Sequence, residues 1–127
     1  DILYEQYIKT IEVEAKTLIR VVEREVLPQT TVYLNSIIGL KDIAYYSRQI
    51  THLISLIDSI DAKLTELKNN LVETHHIESL KEEGLALRNK VFPLFDLIRD
   101  DVDKLELVLP RQMYPFPSYL DLLFLLD

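Results

Sequence analysis

The stretch QITHLISLIDSIDAKLTELKNNLVET, residues 49–74, decides the fold class. Ile50, Ile57, Leu64 and Leu71 recur every seven residues, and Leu53, Ile60, Leu67 and Thr74 follow at the same interval three positions later. Rows spaced this way put one apolar seam along a long helix, and other helices must cover it. The next segment repeats the pattern through Ile77, Gly84, Val91, Ile98 and Leu105, with Leu80, Leu87, Leu94, Asp101 and Val108 in the second row. Asp101 is charged where an apolar side chain belongs, so Val102 is expected to take its place. Between the two seams lies ETHHIES, residues 73–79, short and polar, which predicts an antiparallel helical hairpin.

Upstream, Tyr4, Ile8, Ile11, Ala15, Leu18, Val22 and Val26 step by three or four and define one face of a first helix. Glu5–Lys9 and Glu12–Lys16 are i,i+4 pairs on its wet side. Pro28 removes a backbone donor and crowds the preceding turn, which predicts a kink before the helix resumes through Val32, Tyr33, Ile37 and Ile38. Gly39 offers a left-handed helix end, and the chain restarts near Asp42. Pro93 is expected to bend the third helix, and Pro110 to stop it. The expected fold is therefore all-α, an antiparallel three-helix bundle in a single domain. A helix over 1–38 kinked at Pro28 leads to helices over 41–74 and 76–109, each rod about 45–50 Å long at 1.5 Å per residue, and then to an apolar tail over 110–127.

Composition agrees with this and narrows function. The 127 residues are 48% hydrophobic, enough for one core, and contain only two glycines, Gly39 and Gly84, which disfavours sheets with tight turns. With 21 acidic against 14 basic residues the net charge is −7, which repels nucleic acid and anionic membrane surfaces. No apolar run approaches the roughly 20 residues needed to span a bilayer. The absence of cysteine removes disulfides and thiol chemistry and suits the cytoplasm. Helix-like sequence begins directly at Asp1, with no Met, so the expectation is a piece cut from a longer chain.

No catalytic, cofactor-binding or metal-binding set emerges. Glu73 and His76 form an E-x-x-H at the hairpin, but a carboxylate-bridged metal pair needs a second copy and two more inward glutamates. Glu12 and Glu14, two apart on a helix, diverge by about 200° and read as a solvated face. Two isolated glycines cannot build a phosphate cradle. His52 in QITHLISL lacks the lysine and glycine expected after a phosphorylated bundle histidine. Tyr4, Tyr7, Tyr45, Tyr46, Phe92 and Phe95 read as aromatic packing at the bundle ends.

The chain closes on YPFPSYLDLLFLLD, residues 114–127. An apolar terminus needs a surface to lie on, and Tyr114, Phe116, Tyr119, Leu122, Leu123 and Phe124 are the expected docking residues, with Pro115 and Pro117 stiffening the approach. The run MYPFPSYLDLLF closely resembles the aromatic-Pro-Phe-Pro-Ser/Thr-Tyr-x-Asp-Leu-Leu-Phe segment that closes the long, type III glutamine synthetases. YIKTIEVEAKTLIRVVEREVLP, residues 7–28, resembles the helix that follows their catalytic region, with its Tyr-hydrophobic-Lys opening, Glu-Ala centre and terminal Leu-Pro. Residues 41–109 resemble the family's helical insertion in character. Met113-Tyr114 stands where the family carries Tyr-Trp, and Leu120 replaces its glycine.

The resemblance implies a parent enzyme that joins ammonia to glutamate with ATP and divalent metal ions, its active sites lying between subunits of a ring. This segment would be its C-terminal domain, holding no cofactor of its own. Its partners would be the catalytic region of the parent chain and neighbouring subunits of a homo-oligomer. The alternative is a free-standing helical interaction module that binds a partner protein through its apolar tail.

Overall fold

A computed structural model describes residues 2–113, and these form three helical stretches with no strand among them. The first runs as α1 (Ile2–Val21), a π-helical segment (Val22–Val26) and α2 (Leu27–Ile37). The second is one helix, α3 (Ala44–His75), and the third is divided into α4 (Leu80–Lys90) and α5 (Phe92–Val108). None of these helices is long and apolar enough to cross a membrane. The tail residues Tyr114, Phe116, Tyr119, Leu122, Leu123 and Phe124 lie outside the described residues.

Each irregularity has a local cause. Pro28 has no N–H to donate, and the disturbance it produces lies just upstream, where Leu27 N–H reaches back five residues to the Val22 carbonyl. The wider π turn makes room for the ring ahead of the proline. In the third rod Pro93 stands in the first turn of α5, and Val91, between the helices, has φ −107°. Leu94 N–H there bonds the Val91 carbonyl at 3.0 Å, and the Lys90 carbonyl, which an unbroken helix would pair with Leu94, accepts from Asn70 Nδ2 at 2.9 Å. Gly39 does not take the left-handed conformation expected of it. It sits in a 3-10 turn, Ile38–Leu40, that tightens the end of the first rod without positive φ.

The polar stretch expected to separate the second and third helices does so: α3 ends at His75, the Ser79 hydroxyl accepts from Glu82 N–H, and α4 begins at Leu80. Facing pairs along the rods run in reverse order. Ser59 and Lys63 of α3 meet Asp101 of α5, and Asn70, further along α3, meets Lys90. Likewise Lys68 meets Glu23, while His75 meets Glu12.

A single apolar cluster joins all three rods. It includes Ile11, Ala15 and Leu18 from α1, Leu53, Ile60, Leu64 and Leu67 from α3, Leu87 from α4, and Ile98, Val102 and Leu105 from α5. The seven-residue rows of the second helix supply Ile50, Leu53, Ile60, Leu64, Leu67 and Thr74 to the buried set. Asp101 corrects the expectation that it would leave the seam: it is buried beside Val102, and its Oδ2 accepts from Ser59 Oγ and Lys63 Nζ, both at 2.7 Å. Gly84 is buried because Tyr4 lies on it, with the ring's Cδ1 3.1 Å from where a Cβ would stand.

Candidate functional site

Among the described residues, metal-ligating side chains converge at the hairpin end of the molecule. Glu12 from α1, His75 from the last turn of α3 and Glu83 from the first turn of α4 each offer a ligand atom, and these atoms all lie within 4.8 Å of one another. His75 Nδ1 is 3.8 Å from Glu12 Oε1. Glu12 is half-buried, His75 exposed, and Glu83 only 8% exposed. A carboxylate so far out of water favours its protonated form, so burial pushes the Glu83 carboxyl up, Glu12 pushes it further, and His75 pulls the other way.

Two hollows flank the cluster. One, about 240 Å³, is lined by Glu12, Lys16, Leu71, Val72, His75 and His76. The other, about 400 Å³, is lined by Glu5, Ile8, Lys9, Glu12, His75, Leu80 and Glu83. Two carboxylates around an imidazole can hold a cation or share protons. They form no nucleophile–base–oxyanion arrangement of the kind acyl or phosphoryl transfer needs.

The residues weighed from the sequence fall elsewhere. Glu73 and His76 are both exposed, and the backbone N–H of His76 closes α3 on the Glu73 and Thr74 carbonyls. His52 is exposed on α3. Glu12 and Glu14 are not the solvated face expected of them. Glu14 is buried, and desolvation pushes its carboxyl up, while Glu12 turns toward His75. The helical angle that separates Glu12 from Glu14 is what points Glu12 at the hairpin. No spacing rule could have joined Glu12, His75 and Glu83, because they sit on three helices and meet only through tertiary packing.

The aromatic residues pack with one another or with backbone. Tyr45 and Tyr46 meet edge-on at 5.1 Å between ring centroids, and Phe92 and Phe95 at 5.8 Å. Tyr4 and Tyr7 lie against Gly84 and, with Leu3, Leu85 and Arg88, line a further hollow of about 350 Å³.

Comparison with known proteins agrees with the resemblance seen at the two ends of the sequence. Residues 1–43 match the family model of the glutamine synthetase C-terminal domain. A glutamine synthetase of Bacteroides fragilis is 32% identical over 77 residues, covering 61% of this chain and 10% of that protein. A type-3 glutamine synthetase of Dictyostelium discoideum is 28% identical over 140 aligned positions, covering 98% of this chain and 19% of that protein. The chain therefore spans less than a fifth of the length of these curated relatives. No solved structure matches it. In sequence this chain is similar to the glutamine synthetase C-terminal domain over residues 1–43, and to glutamine synthetases, a type-3 enzyme among them.

Proposed function

We propose that the chain serves as the C-terminal helical domain of a type III glutamine synthetase, an ATP-dependent ligase acting on glutamate and ammonia, and that its own role is structural and assembly-forming. The observation that carries this is the similarity to a type-3 enzyme along 98% of the chain, combined with an all-helical body among the described residues. ATP and the metal ions of the ligase reaction fall to the catalytic region of the parent. The absence of cysteine suits a reducing cytoplasm as the working compartment.

The reverse order of facing pairs supports an antiparallel up-down-up bundle. The π segment beside Pro28 supports a bend in the first rod. Such a bundle is stiff and can present its ends to partners. At the end opposite the hairpin, Ile38, Leu40, Ile43 and Tyr45 are exposed, and α5 runs toward that same end. An exposed apolar patch, in a chain that also carries the apolar sequence 114–127, suits docking onto the catalytic body or a neighbouring subunit of a homo-oligomer. The reading is tested by removing residues 114–127 from the parent enzyme and measuring assembly mass by light scattering. Smaller assemblies with an intact catalytic fold are expected, and an unchanged mass would overturn the assembly role.

A further inference from the structure

We propose that Glu12, His75 and Glu83 bind a zinc-class divalent cation that staples α1 to the α3–α4 hairpin. The inference is independent of the ligase reading, because it rests on side chains that the body of this chain brings together. Three helices each supply one donor atom, and the three atoms lie within 4.8 Å of one another. The decisive residue is Glu83. The residue is more than nine-tenths buried, its ligand oxygen lies within 4.8 Å of both Glu12 and His75, and the attraction of His75 is outweighed by burial and by the repulsion of Glu12. Holding a largely buried carboxylate next to a second one costs stability twice, through desolvation and through repulsion. A divalent cation between the two removes both costs.

Donor chemistry selects the kind of cation. One imidazole nitrogen and two carboxylate oxygens suit zinc and its first-row neighbours, whereas magnesium and calcium prefer six or more oxygen donors. Zinc bonds of about 2.0–2.1 Å place neighbouring donors roughly 3.3 Å apart, so the cluster must contract. Glu12 and His75 have the freedom to do this, being half-buried and exposed, and the adjoining hollow of about 400 Å³ leaves a fourth position for water. Lys9 and Lys16 on the walls of the two hollows are the local cations that the metal must displace or outcompete.

The test uses the 127-residue chain, stripped with a chelator and titrated with zinc chloride by calorimetry and by thermal melting. One equivalent bound per chain and a raised melting point are expected, with magnesium at the same concentration giving neither. His75→Asn and Glu83→Gln should each weaken zinc binding at least about tenfold, with circular dichroism reporting that the helices are kept. His76→Asn and His52→Asn should leave binding unchanged. Absence of saturable zinc uptake overturns the proposal. Uptake that survives both His75→Asn and Glu83→Gln, or that is lost with His76, overturns it equally and assigns the metal to exposed histidines.

Discussion

At Asp101 the chain places a carboxylate in a seam of leucines, and two donors from the facing helix receive it. Ser59 and Lys63 lie 42 and 38 positions away in sequence, so the residue alone could only be read as a flaw in the pattern. The lysine side chain keeps a quarter of its surface in water while the aspartate is nearly sealed. Removing the acceptor by Asp101→Leu should therefore cost about 1–2 kcal/mol rather than the full penalty of a buried orphan charge. Adding Lys63→Met should restore most of that loss, and urea titration of both variants gives the comparison; equal loss in the single and double variants would show that the pair does not act as a unit. Glu14 presents the opposite case, a buried carboxylate with desolvation as its resolved influence. Glu14→Leu is expected to raise stability by on the order of 1 kcal/mol at neutral pH, read from the same titration. Tyr33 supplies the pH dependence. Burial, with Tyr45 and Tyr46 reinforcing it, holds its phenol above the ordinary value of 10.0. The unfolded chain therefore loses that proton first as pH rises, so stability is flat below the unfolded value and falls as pH climbs through the folded one. Tyr33→Phe should remove this contribution to the alkaline decline, leaving the difference between variant and parent constant below about pH 9 and growing above 10.

Among the helices, the third rod shows how a break is tolerated inside a packed body. The peptide carbonyl released at Lys90 is capped by Asn70 from the neighbouring helix, so the interruption is satisfied from outside its own rod. Asn70→Ala should cost about 0.5–1.5 kcal/mol, and hydrogen exchange should show faster opening around Val91 and Leu94 while the middle of α3 stays protected. Uniform exchange across both helices would mean the cap contributes nothing local. The helices and the polar break between the second and third were legible in the sequence because seven-residue rows and a polar loop are local signals, and burial of Leu53, Ile60, Leu67, Leu87 and Leu105 follows from them. Where disturbance would fall was less so. Proline predicts a perturbed ladder, but whether the backbone answers with a π turn ahead of Pro28 or a restarted helix at Pro93 depends on which carbonyls find other donors. Gly39 misled for a related reason: glycine permits a left-handed end without requiring one, and a 3-10 turn served.

For the molecule as a whole, its two ends carry different chemistry. The hairpin end gathers Glu12, His75 and Glu83, which no spacing in the sequence announced, whereas the opposite end exposes aliphatic and aromatic surface that reads partly from composition. Ile38, Ile43 and Tyr45 are 44, 49 and 53% exposed, so they contribute little to folding the bundle itself. If that end docks against another protein surface, their value is realised only on assembly, because the apolar area they hold is removed from water there at roughly 25 cal/mol per Å². Charge placed on the patch should then separate folding from association. Ile43→Glu combined with Tyr45→Lys is expected to leave the melting temperature of the 127-residue chain nearly unchanged, and to lower the assembly mass of the parent enzyme measured by light scattering at fixed concentration. A comparable loss of melting temperature in the chain alone would instead assign these side chains to the bundle's own stability, and an unaltered assembly mass would remove this end from the interface.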